Sequence, residues 1–203
     1  MSPMQERSPA LQCFLDAVHE AVRAGASPAS PAGQAAEKIF DALKTPAPPV
    51  AQSTVRFPVA SYLDSALNTA RGAGAVVAKA ADAFAELEPS LTWYRRPGAE
   101  NADPAFAAGH SNATIVGMTG IERRGDVWVG VSLMAPGVRY PDHQHPPEEV
   151  YVVLSPGEWR QADGPWFEPG VGAIVYNPPN ILHAMRSDAA PLLAAWCLWL
   201  GET

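Results

Sequence analysis

The chain has 203 residues, 47% of them hydrophobic and 17% charged, which suffices for one large domain or a domain with a substantial appendage. A formal net charge of −7 with no Lys/Arg-rich face excludes an electrostatic nucleic-acid interface and leaves a small molecule as the expected partner. The N-terminus lacks the apolar core of a signal peptide, and the longest apolar run, Ala189 to Leu200, is well short of the ~20 residues that span a bilayer. A cytoplasmic protein with no membrane partner is therefore expected.

The first ninety residues are helical in pattern. Ser8-Pro9 offers an N-cap followed by proline at the first helical position, and Leu11, Phe14, Leu15, Val18 and Val22 follow at helical spacing until Gly25. Ser30-Pro31 repeats that opening ahead of Ala35, Ile39, Phe40 and Leu43. After a proline-rich connector, an alanine-rich stretch from Val59 to Leu87, broken at Gly72 and Gly74, predicts two further helices. The segment 1–90 is expected to pack on the remainder of the chain or to form a subunit contact, as in a homodimer.

After Pro89 the period changes. Val127 to Met134 alternates Val127, Val129, Val131 and Leu133 against Trp128, Gly130, Ser132 and Met134, a strand signature. Glu149–Leu154, Ala173–Tyr176, Leu182–Met185 and Leu192–Leu200 read as further strands, separated by Pro/Gly/Asn/Asp turns. Short strands at near-even spacing without intervening helices predict an antiparallel sandwich or barrel over 91–203.

Between the first two of these strands lies the densest chemistry. His143, His145, Glu149 and Tyr151 all occupy odd positions, so on a single strand they would share a face. Two imidazoles and a carboxylate are a common ligand set for a first-row divalent metal. A distant histidine, His183, follows the turn Asn177-Pro178-Pro179. The other readings are plainer. His19 is assigned to a helix surface and His110 to a surface loop. Cys13 and Cys197 are expected to be buried free thiols, and the sequon Asn112-Ala113-Thr114 is treated as chance.

The spacing of these residues resembles the two motifs of the cupins. Gly137, His143-Gln144-His145, Glu149 and, one position late, Gly157 match the first motif. Gly172, Pro178, His183 and Ser187 match the second, with Asn180 in place of a glycine and Ser187 in place of the closing asparagine. The run from Tyr140 through His143, His145 and Glu149 to Tyr151, preceded by a helical segment, is similar to the cupin-type dimethylsulfoniopropionate lyases of the DddQ group.

The resemblance implies a mainly β fold, a jelly-roll-like cupin barrel behind N-terminal helices. It implies a carbon–sulfur lyase converting dimethylsulfoniopropionate to dimethyl sulfide and acrylate by β-elimination. His145, Glu149 and His183 are the first-choice metal ligands, with His143 a further ligand or a close donor. Tyr151, able to bind the metal until substrate displaces it, becomes the base, and Tyr140 is the reserve for that role. Zinc or iron suits such a set, and manganese, cobalt and nickel also accept it. An aromatic face suits a sulfonium cation; Trp128, Trp159, Trp166, Trp196 and Trp199 are candidates. A cupin Fe(II) dioxygenase and a non-enzymatic small-molecule-binding barrel are the competing functions.

Overall fold

A computed structural model describes residues 7–99 and 103–201. Helix α1 (Pro9–Gly25) starts where Ser8 Oγ accepts the Leu11 N–H at 3.3 Å, and α2 (Pro31–Leu43) where Ser30 Oγ accepts the Gly33 N–H at 3.1 Å. Helices α3 (Leu63–Gly72) and α4 (Ala75–Leu87) follow, separated at the expected glycines. The chain then forms β1 (Trp93–Tyr94), a short helix α5 (Pro104–Gly109), β2 (His110–Val116) and β3 (Val127–Met134). Strands β4 (Arg139–His143), β5 (Glu148–Val153), β6 (Glu158–Gln161), β7 (Ile174–Asn177), β8 (His183–Arg186) and β9 (Leu192–Trp199) complete it.

The named strands pair antiparallel in two sheets, one ordered β1-β2-β3-β9-β5-β7 and the other β4-β8-β6. The alternation of β3 decides how the layers stack. Val127, Val129, Val131 and Leu133 bury against the helices in one core with Phe14, Val18, Ile39, Phe84, Ala195 and Cys197. Met134, on the opposite face, joins Tyr140, Tyr151, Trp159, Trp196 and Leu198 in a second core between the sheets. The large sheet is thus apolar on both faces, one turned to the helices and the other to the barrel interior. This is the helix-backed cupin barrel expected from the two motifs.

Several sequence expectations need correction. β1, β2, β6 and α5 carried no clear periodic signal, because β2 is buried on both faces and the others are short. His110 is not on a surface loop: it opens β2, fully buried. Cys13 is exposed while Cys197 is buried, and both are free thiols.

The N-terminal segment is tied to the β2–β3 connection by an ion pair. Arg7 donates from Nε and Nη2 to the two oxygens of Glu122 at 2.6 and 2.8 Å, and these side chains are 4% and 2% exposed. Removing Arg7 leaves the buried Glu122 carboxylate with a longer contact to a second guanidinium. Arg7→Ala is therefore expected to lower the unfolding free energy by up to about 3–5 kcal/mol, the cost of a fully stranded charge. Urea denaturation with no change in midpoint would show that Arg124, 3.7 Å from Glu122, compensates.

Candidate metal centre

The cluster comes from both sheets. His143 closes β4 and pairs in register with His183 at the start of β8, in the small sheet. Glu149 and Tyr151 lie on β5 of the large sheet, and His145 sits in the turn between. The shared facing of the odd positions does not arise along one strand, as the sequence suggested. The proline-containing turn carries the chain from one sheet to the other, and the side chains converge across the barrel. Ligand nitrogens of His143, His145 and His183 lie within 4.8 Å of one another.

Backbone carbonyls set the tautomers. Nδ1 of His143 bonds to Pro141 O at 2.9 Å, Nδ1 of His145 to Pro147 O at 2.8 Å, and Nδ1 of His183 to Ile181 O at 3.0 Å. A carbonyl oxygen only accepts, so each Nδ1 carries a hydrogen and each neutral ring offers a bare Nε2. Nε2 of His145 and His183 stand 3.3 and 3.4 Å from Glu149 Oε2. His183 Nε2 is buried without a hydrogen-bond partner. Acceptors facing one another in a buried site are stabilised by positive charge between them, whether a proton on one ring or a bound cation.

The electrostatics agree. Burial works against ionising Glu149, but the imidazoles of His145 and His183 outweigh it and hold its carboxyl at about 2. Burial, then the charge of His183, lowers His143 to about 3, so its ring stays neutral. Burial also opposes protonation of His145, yet Glu149 beside it raises that ring above its ordinary value. Positive charge is thus favoured beside Glu149, as a proton on His145 or as a divalent metal that these residue types suit.

Two positions around the cluster were not singled out in the sequence. Asn177, read there as a turn residue, faces Glu149 across β7 and β5 and donates from Nδ2 to its Oε2 at 2.9 Å. Gln161 Nε2 donates in turn to Asn177 Oδ1 at 2.7 Å. Only the strand register brings these residues together. Ser187, standing where the motif has asparagine, accepts the Val138 N–H at 3.0 Å and bonds Ala135 O at 2.6 Å, latching the β3–β4 turn. Asn180, standing where the motif has glycine, adopts φ 61°, a left-handed conformation asparagine tolerates.

The cluster opens into a cavity of about 550 Å³ whose wall includes Tyr94, Arg96, Asn112, Trp128, Tyr140 and Trp196. Of the five candidate tryptophans, Trp128 and Trp196 reach this wall. They meet edge to face at 5.2 Å, and their indole N–H groups donate to Thr114 Oγ1 and Ser132 Oγ, both at 3.1 Å. Trp159 packs on Tyr151 instead, at 6.3 Å. Glu148 points away from the site, to Lys38 and Tyr176.

Gly130 seats Trp196: a Cβ there would lie 2.3 Å from the indole and 2.3 Å from Ala113 O. Gly130→Ala is expected to cost about 1–3 kcal/mol of stability through overpacking and to push Trp196 into the cavity. Thermal denaturation and a substrate titration check this, and wild-type values in both would refute it.

The family of dimethylsulfoniopropionate lyases matches residues 32–194. The chain belongs to that family. It is 30% identical to a Cereibacter sphaeroides protein described as the dimethylsulfoniopropionate lyase DddL, over 147 residues. That match spans 71% of this chain and 60% of the relative's length. Dimethylsulfoniopropionate lyase DddQ of Ruegeria pomeroyi is 27% identical over 164 residues, 80% of each protein. The crystal structure of DddQ from that organism aligns with a TM-score of 0.74 at 26% identity, covering 95% of this chain and 92% of that one. The DddQ-type resemblance read from the motif is borne out. No helix among the described residues is long and apolar enough to cross a membrane.

Proposed function

We propose that this chain is a metal-dependent carbon–sulfur lyase that eliminates dimethyl sulfide from dimethylsulfoniopropionate and leaves acrylate. One observation supports the reading: three imidazoles with carbonyl-locked Nδ1 bring their ligand nitrogens within 4.8 Å of one another, two of them beside the buried Glu149 carboxylate. His143, His145, Glu149 and His183 would hold the divalent ion, with zinc or iron the leading choices and manganese, cobalt or nickel also compatible. When bound, the ion supplies Lewis-acid stabilisation of charge on the substrate carboxylate and draws the nearby Tyr151 phenol towards phenolate.

The chain's residues do the rest. Burial, then the Glu149 carboxylate, push the Tyr151 phenol well above its ordinary value, so without positive charge nearby it keeps its proton. As phenolate, Tyr151 Oη takes the hydrogen from the carbon next to the carboxylate. The electrons of that C–H bond form the new double bond, and the C–S bond breaks with its pair leaving on neutral dimethyl sulfide. Trp128 and Trp196 offer aromatic faces to the sulfonium, each contact worth about 0.5–2 kcal/mol. Tyr140, which burial raises to about 12, stands beside His143 as a hydroxyl donor to substrate.

Headspace analysis of anaerobic, metal-loaded protein given dimethylsulfoniopropionate should detect dimethyl sulfide with acrylate in equal amount. Prior treatment with a chelator should abolish both. Product formation that needs and consumes oxygen would transfer the site to the dioxygenase reading.

A further inference from the structure

His110 and Arg96 belong to the cavity region but have no part in the elimination as derived above. His110 is fully buried, and both ring nitrogens are engaged. Its Nδ1 donates to Phe106 O at 2.6 Å, and its Nε2 accepts the backbone N–H of Arg96 at 3.2 Å. The ring stacks on Phe106 at 3.7 Å and meets the Tyr140 ring edge to face at 5.6 Å. Arg96 is half-buried on the cavity wall, with its guanidinium carbon 5.4 Å from the Tyr140 ring centre. That ring in turn lies 4.8 Å from His143. One histidine thus anchors the backbone of a cavity arginine and one side of the ring on which its guanidinium rests.

A zwitterion with a carboxylate at one end and a sulfonium at the other needs different surroundings at its two ends. The indoles of Trp128 and Trp196 suit the cation and repel nothing, whereas a guanidinium suits only the anion. We infer that Arg96 is a carboxylate-anchoring residue of this cavity, and that His110 is the positioning residue that holds it there. The substrate rests on the lyase reading, but a carboxylate site does not require it. A cation held by the ligands would by itself bind any carboxylate; Arg96 would favour one whose second oxygen reaches the guanidinium.

Acrylate binding to the metal-loaded protein, followed by tryptophan fluorescence, tests this without turnover. A lost charge-assisted hydrogen bond should weaken acrylate by about ten- to a hundredfold in Arg96→Met, with Arg96→Lys falling between it and the wild type. His110→Asn keeps a donor for Phe106 O but has no acceptor that reaches Arg96, and should weaken acrylate severalfold. His110→Gln carries an acceptor to the Nε2 position and should restore binding. The kcat/KM for dimethylsulfoniopropionate should fall in parallel, through KM for the ground-state carboxylate and through kcat for the charge that builds on it as the proton leaves. Unchanged acrylate affinity in Arg96→Met overturns the proposal even if the chain is an active lyase. Arginine-dependent acrylate binding by a protein that releases no dimethyl sulfide would retire the lyase reading and leave this site standing.

Discussion

His183→Leu is expected to abolish metal binding and turnover while leaving the metal-free protein about as stable as the wild type. The two halves of this result have opposite origins. With the ion present, His183 supplies one of the bare nitrogens, and its loss removes the stabilisation that ligand binding confers, about 4 kcal/mol at a thousandfold excess over Kd. Without the ion, the same nitrogen is a buried acceptor with no partner. Removing such a group relieves about 1–3 kcal/mol, offset by about 1 kcal/mol for the lost bond from Nδ1 to Ile181 O and by the support its ring gives the Glu149 carboxylate. Leucine is of similar bulk and suits the buried end of β8. The metal-free Tm should therefore stay within a few degrees of wild type, and the rise on adding metal should vanish. Metal uptake at the wild-type level, or a collapse of the metal-free protein, would contradict the account of a nitrogen held ready for an ion.

Tyr151→Phe should leave metal content and fold intact and reduce turnover by about 10²- to 10⁴-fold, the usual worth of a positioned base. The ring is buried on β5 and packed against Trp159, so deleting only the hydroxyl disturbs little packing. The neighbouring Glu149 carboxylate opposes phenolate formation, which ties the base to the presence of a cation in the same site. Tyr140→Phe should cost less, because its hydroxyl is placed as a donor. That hydroxyl accepts from Asn112 Nδ2 at 3.4 Å, which leaves its own hydrogen to donate. Single-turnover measurements on metal-loaded variants distinguish the two tyrosines. A larger loss in Tyr140→Phe would exchange their roles.

Much of this site was legible before any coordinates. The alternation of Val127 to Met134 identified β3 to the residue, because a strand with unlike surroundings on its two faces records them in its side chains. The serine-proline pairs marked both helix starts for the same local reason. His143, His145, Glu149 and His183 stood out by residue type and spacing. What escaped were positions whose meaning is set by distant neighbours. Asn177 looked like a turn residue until the β5–β7 register placed it on Glu149. His110 looked like a loop residue until Phe106 and the Arg96 backbone closed around it.

By itself, the order of residues determined the helical segment, the strand-rich remainder and the identity of the cluster, since periodicity, capping and ligand chemistry are local properties. Only the tertiary structure decided that the cluster spans two sheets and that two of five candidate tryptophans reach the cavity. It alone oriented the bare nitrogens towards one carboxylate. Those outcomes depend on strand register and on the turn from His143 to Glu149, where bonds between residues far apart in the chain set direction, and no local pattern encodes them.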